Sequence, residues 1–376
     1  MSRDVVTPTA EAPAATGAPA ATGAPAATGA PAVAGAPASP RFVARWDLDK
    51  TYLRTDFDTL RDLIRTAIER PDQKRTVPGA ASLLRELGRA GVEIHILSGS
   101  PEQLRSRIEQ KLRLDGARWE SLTLKPNLQN LLRLRFRALR GQLDYKLTSL
   151  LARRCELSSQ RNEDGSLVRE VLLGDDAEAD AFVYSLYADV CEGNVPASVL
   201  EEILRRGRSY EDSIERALSL VDQMERGPVV ERILIHLERQ SSPADFRAFG
   251  DRVVPFYNYL QAAFVLHEDG RLPARAVLRV AQDLVVAHNF ESGALARSFL
   301  DLSRRGHVSG RGIPDLAESY HELTARRTAG ASELGAMIDE LVRMRGDLRP
   351  PLHRPRPPID YLGLVRSHNR RSKEKR

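Results

Sequence analysis

The sequence predicts an α/β fold: a mostly parallel sheet with a small cap, followed by an all-helical domain. Three observations predict it. Short β-rich runs alternate with helical spacings between residues 41 and 195, the pattern of parallel strands joined by crossover helices. Three of those runs stop at polar motifs, DLDKT (Asp47–Thr51), SGSP (Ser98–Pro101) and GDDAEAD (Gly174–Asp180). From Pro196 helix follows helix to about Arg345, with breaks near Gly207, Gly227, Ser242, Gly270, Gly306 and Gly330 and no convincing strand run.

Each element follows from its residues. Residues 1–40 repeat ATGAPA, with Pro13, Pro19, Pro25, Pro31 and Pro37 in step. Regular prolines block a helix, and Ala, Gly and Thr bury too little area to offset ordering, so this is read as a disordered tether. Arg41–Trp46 reads as the first strand. Leu60, Leu63, Ile64 and Ala67 give Asp56–Arg70 a helical spacing, and Pro78–Arg89 carries Leu83, Leu84 and Leu87 on a second helix. Val92–Leu97 is the next strand, and Pro101–Leu112 is helical. Ser121–Leu124 is a weak strand, while Leu132–Arg137 alternates Leu with Arg as a half-exposed strand does. Tyr145–Arg154 reads as helix, Val168–Leu173 as strand, and Glu178–Cys191 as helix. The domains expected are 41–195, the helical 196–346 and a basic Pro/Arg-rich tail, 347–376.

Composition narrows the function classes. With 42% hydrophobic residues the chain can bury a core, and no run of about 18 apolar residues predicts a membrane span. The N-terminus lacks a basic region before a Leu-rich core, so no secretory signal is expected. Cys155 and Cys191 are the two cysteines, too few for a disulfide framework or a zinc site of their own. The expected setting is the reducing cytoplasm. The net charge of +5 is partly local: Arg366–Arg376 is strongly basic and Arg349–Pro358 is rich in Pro and Arg. Such a tail can meet lipid phosphates in a peripheral membrane contact, although a solvated end is the favoured reading. Few aromatics interleave with it, which argues against nucleic acid.

The three strand ends carry the chemistry, because sites in parallel α/β sheets gather at the carboxyl ends of strands. Asp47 and Asp49 end the first, Ser98 the second, and Asp175, Asp176 and Asp180 the third, with Lys146 opening the helix before it. A carboxylate can attack phosphorus, and a second carboxylate two residues on can protonate the leaving oxygen and then activate water. Clustered carboxylates need a hard cation, and oxygen ligands favour Mg2+. A lysine and a hydroxyl can hold phosphoryl oxygens.

In these residues the chain resembles the haloacid dehalogenase (HAD) superfamily: DLDKT, ILSGS (Ile96–Ser100), Lys146 and GDDAEAD fall in the order of its four motifs. More closely, LSGSPEQL (Leu97–Leu104) and GDDAEADAFVY (Gly174–Tyr184) resemble the actin-patch-associated phosphatidate phosphatase family, over roughly residues 41–190. The resemblance implies a HAD-like Rossmannoid sheet and a Mg2+-dependent phosphatase acting on a lipid phosphate. It implies Asp47 as nucleophile and metal ligand, and Asp49 as general acid/base with its backbone carbonyl on the metal. Thr51 would brace the loop, and Ser98 and Lys146 would hold the phosphoryl group, with Lys125 a rival for the lysine role. Asp175 would be the further metal ligand, supported by Asp176 or Asp180. The sequence departs from the family at Lys50, where an acid is common, and beyond residue 195.

Other features read as structure. Arg133, Arg135, Arg137 and Arg140 look like a solvated strand edge rather than a head-group site. Phe256, Tyr257, Tyr259 and Phe264 look like helical core, and His95 like a structural residue. A small cap leaves the site open, so the helical domain is a candidate lid. The alternative function is a HAD-like scaffold that binds a protein partner through its helical domain.

Overall fold

A computed structural model of the chain describes residues 41–53, 76–125, 139–324, 329–348 and 358–374. The repeat 1–40, the helix expected at 56–70, the strand expected at 132–137 and the Pro/Arg-rich 349–357 lie outside the described residues. The described residues form one compact unit.

Six strands build one sheet in the order β3-β2-β1-β4-β5-β6: β1 Phe42–Asp47, β2 Glu93–Pro101, β3 Ser121–Lys125, β4 Arg169–Asp175, β5 Val230–His236 and β6 Val253–Phe256. Every pairing is parallel. Chain order runs outward from β1 on one side and from β4 on the other, so β1/β4 is the topological switch point, where a crevice opens beyond the strand ends. Asp47 ends β1 and Asp175 ends β4 at that point.

Alternation along β1 sorts the two layers. Phe42, Ala44 and Trp46 face one core, with α1 (Ala80–Arg89), α2 (Arg105–Leu114) and the later helices α7 (Tyr259–Glu268), α8 (Ala274–His288), α9 (Ser292–Arg304), α10 (Ile313–Thr324) and α11 (Ala331–Met344). Arg45 and Asp47 lie on the other face. There Leu97 and Leu172 meet a second core, built by α3 (Thr148–Leu157), α4 (Asp180–Glu192), α5 (Ala197–Arg206), α6 (Glu211–Gln223) and α12 (Tyr361–Glu374).

The parallel α/β class with a helical region stands, but its boundary moves. Residues 196–346 are not all helix, because β5 and β6 extend the sheet within them. Helices α7 to α11 cover one face of that sheet instead of standing apart. At the basic end Arg366 and Arg370 are exposed, as a solvated end requires, but the segment is helical and anchored just before them. Tyr361 and Val365 are buried in the second core, Tyr361 donates to Asp189 Oδ2 at 2.5 Å, and Asn369 donates to the Arg206 carbonyl at 3.1 Å. Of the aromatic group, Phe256, Tyr259 and Phe264 are core and Tyr257 is exposed. Among the described residues no helix is long and apolar enough to cross a membrane.

Candidate active site

Beyond Asp47 the chain folds tightly on itself. Tyr52 and Leu53 donate their amides to the Leu48 carbonyl, and Lys50 closes the turn in the left-handed region at φ 62°. The turn is anchored from the first core: the Tyr259 hydroxyl donates to the Thr51 carbonyl, and its ring stacks on Trp46 at 5.9 Å. Thr51 is buried and its hydroxyl reaches Asp47 Oδ2 at 3.2 Å and Asp175 Oδ2 at 3.4 Å, bracing two strand ends at once.

At the end of β2 the register shifts between Leu97 and Pro101. That irregularity turns two hydroxyls toward one carboxylate: Ser98 Oγ donates to Asp49 Oδ2 at 2.8 Å and Ser100 Oγ at 3.2 Å. Ser100 had no role in the sequence reading. The Tyr145 hydroxyl donates to the Ser98 carbonyl at 2.8 Å and to the Thr123 carbonyl at 3.2 Å, tying β2 and β3 to the helix that carries Lys146.

Contrary to expectation, Lys146 does not open that helix but lies inside it: a π-helical turn, Leu143–Leu147, follows an α-helical turn at Leu139–Gln142 and leads into α3, a local widening frequent at functional sites. Lys146 projects from it into the acids. Its ammonium lies 2.9 Å from Asp47 Oδ1, 2.5 Å from Asp180 Oδ1 and 3.0 Å from Glu178 Oε2. Lys125, the rival lysine, is buried with its amine over the Tyr145 ring at 5.0 Å.

The third motif is a compact acidic turn. Asp175 Oδ1 accepts from the amides of Ala177 (2.5 Å) and Glu178 (3.1 Å), while Asp180 Oδ2 accepts from the Asp175 amide at 3.1 Å. Gly174 is required there: a Cβ would meet Asp180 Oδ2 at 2.4 Å. Asp47, Asp175 and Asp180 each bring a carboxylate oxygen within 4.8 Å of the others. Asp176 is not brought to them. Its two oxygens accept the amides of Arg239 (2.8 Å) and Ser241 (3.1 Å), which fastens β4 to the loop after β5. Glu178, passed over in the sequence, is the fourth acid of the site, held by Lys146 and by Gln142 at 2.6 Å.

Charge in this cluster is unbalanced, with four carboxylates around one central ammonium. Burial and then the acids beside it push the carboxyls of Asp47 and Asp175 well above their ordinary range, against the pull of Lys146. Burial lowers the Lys146 amine, yet Asp180, Asp47 and Glu178 outweigh it and hold the amine well above its ordinary value. Burial raises Asp49, partly offset by the Ser98 hydrogen bond. Burial also brings Lys125 down to about 8, opposed by Glu178. Asp47 Oδ1 is buried and, apart from its ion pair with Lys146, accepts no hydrogen bond. An all-oxygen donor set with excess negative charge and an unsatisfied oxygen fits a hard divalent cation.

The structure therefore brings Asp47, Asp49, Thr51, Ser98, Lys146, Asp175 and Asp180 together, and leaves Asp176 outside. The chain matches no known family and no curated protein.

Proposed function

We propose that this chain is a Mg2+-dependent phosphohydrolase that cleaves a phosphomonoester through an aspartyl-phosphate at Asp47. The observation that carries the reading is the buried Asp47, Asp175 and Asp180 triad, gathered at the switch point around Lys146. Asp47, Asp175 and Asp180 would hold the cation, which when bound neutralises phosphoryl oxygens and the excess carboxylate charge.

Asp47 attacks phosphorus and the ester P–O bond breaks. Asp49, whose burial favours its protonated form, gives its proton to the leaving oxygen. Asp49 then takes a proton from water, whose oxygen attacks phosphorus; the bond between phosphorus and the Asp47 oxygen breaks, inorganic phosphate leaves and the Asp47 carboxylate is restored. Lys146 supplies fixed positive charge to the transferring group, and Ser98 positions Asp49. Lipid phosphates, phosphatidate among them, are the first substrate class to test, because the motif resemblance implies them.

The test is phosphate release from a panel of phosphomonoesters, including phosphatidate in detergent, with and without Mg2+. Turnover in the wild type and its loss in Asp47→Asn support the reading. The near-complete burial of Asp47, Lys146, Asp175 and Asp180 favours one second reading, a non-enzymatic scaffold. A folded, metal-binding protein that releases phosphate from no ester would select it.

A further inference from the structure

Two residues before Asp47 on the same face of β1, Arg45 lines a second and separate feature. A small cleft lies between β1, β2, β3 and α3, with a polar lining of Arg45, His95, Ser121, Thr123, Ser149 and Arg153. Among the described residues no acidic side chain lines it. Its volume is about 10 Å³, room for one water-sized occupant.

Donors are left over at this cleft. Arg45 is 3% exposed; its Nε pairs with Glu170, but its Nη2 is buried without a hydrogen-bond partner. His95 Nε2 is buried without one as well. Its Nδ1 lies 2.8 Å from Ser121 Oγ, and the Ser121 hydroxyl can donate there, which leaves the ring proton on Nε2. The acids nearby are already engaged. Glu93 Oε2, 3.8 Å from His95 Nε2, accepts Arg41 Nη2 at 2.7 Å, and Glu156 accepts Arg153 at 2.8 Å.

Charge points the same way. Arg154 is fully buried and donates Nη1 to the Val168 carbonyl at 2.8 Å, while its Nε and Nη2 have no partner. Arg45 and Arg154 thus share a buried polar cluster with one carboxylate, Glu170. The other members, Tyr187 and Cys191, are held neutral by burial and supply no negative charge. Arg45 is paired with Glu170, and Arg154 does not line the cleft; the lining itself, Arg45 and Arg153 with no carboxylate among its described residues, favours an anion over a neutral water.

We propose that this cleft binds a monovalent inorganic anion of chloride size, held by Arg45 Nη2 and His95 Nε2, with Arg153 at the rim. The site needs no turnover and stands apart from the phosphohydrolase reading. Room for one small occupant excludes phosphate and sulfate from the interior.

The probes are chloride and bromide on the full chain. At fixed ionic strength, wild-type Tm is expected to be roughly 2 °C higher in about 0.2 M sodium chloride than in sodium gluconate. Arg45→Met should lose that difference. Ser149→Leu, which fills the cleft from α3 and leaves the Arg45–Glu170 pair intact, should lose it too and decides the question if Arg45→Met does not fold. Crystals soaked in sodium bromide should show an anomalous peak beside Arg45 Nη2 and His95 Nε2. Equal melting in both salts, or an ordered water with no bromide signal, overturns the site.

Discussion

Asp47 and Arg45 stand two residues apart on one face of one strand, and their surroundings are opposites. Three carboxylates, Asp47 with Glu178 and Asp180, share Lys146; Arg45 pairs with Glu170, with the buried Arg154 in the same cluster. The first lies at the strand ends, where loops from β1 and β4 and the helix before β4 converge. The second lies mid-strand beneath α3, where only side chains can reach. Each region is incomplete in charge, one toward a cation and the other toward an anion, and each can be unbalanced by substitution in its own direction.

The largest expected effect lies in the acidic region. Asp47→Asn should lower Mg2+-dependent turnover at least about a thousandfold, as nucleophile removal does elsewhere. It should leave Tm unchanged or raised, because one of four crowded acids is gone, and a thermal melt beside the assay checks both. Next comes Lys146→Met, which strands the acids without their ammonium and should cost about 3–5 kcal/mol in urea unfolding. Arg45→Met should cost less in the same experiment, because Arg154 remains as a counter-charge in the cluster of Glu170. Equal costs would break the comparison.

A smaller pair separates structure from metal binding. Asp176→Ala removes two charge-assisted bonds to backbone amides and should cost roughly 2 kcal/mol while leaving Mg2+ affinity unchanged. Asp180→Asn should weaken Mg2+ at least about tenfold by calorimetry. If Asp176→Ala weakens the metal instead, Asp176 belongs to the site after all.

A pH limb is also expected. Burial, with Arg45 and Arg153 nearby and Glu93 and Glu170 opposing, lowers His95 to about 4 in the folded state. The unfolded chain therefore takes up the proton first, between pH 6.5 and 4, and stability falls with falling pH across that window. The slope is about 1.4 kcal/mol per pH unit at most, and His95→Gln should remove it from the pH profile of urea midpoints. Asp47 and Asp175, with raised carboxyl values, act oppositely: their contribution is greatest at low pH and is lost as pH rises through the raised values. The wild-type minus His95→Gln difference isolates the histidine.

The acidic region was largely legible in the sequence because its residues are local to motifs at strand ends. DLDKT, SGSP and GDDAEAD each mark a place where an apolar run stops, and β1, β2 and β4 lie close to where their patterns put them. Glu178 was not legible: it is one acid among several in GDDAEAD, and only the path of the π-helical turn brings Lys146 to it. Asp176 misled because adjacency to Asp175 on a turn sends its side chain elsewhere, onto amides 63 and 65 residues away. β5 was missed because Glu231 and Arg232 interrupt its apolar run, and β6 because it is four residues long and contains Pro255. A proline is tolerated there because β6 is the sheet edge. The arginine cluster left no local signal, since Arg45, Glu170 and Arg154 meet only through the sheet.

The most direct test of the central claim is capture of the phosphorylated enzyme. The wild type, mixed with its best phosphomonoester and Mg2+ and quenched in acid, should yield a peptide phosphorylated on Asp47 by mass spectrometry. Phosphate release without any phosphoaspartate, or with the phosphate on another residue, would contradict the account.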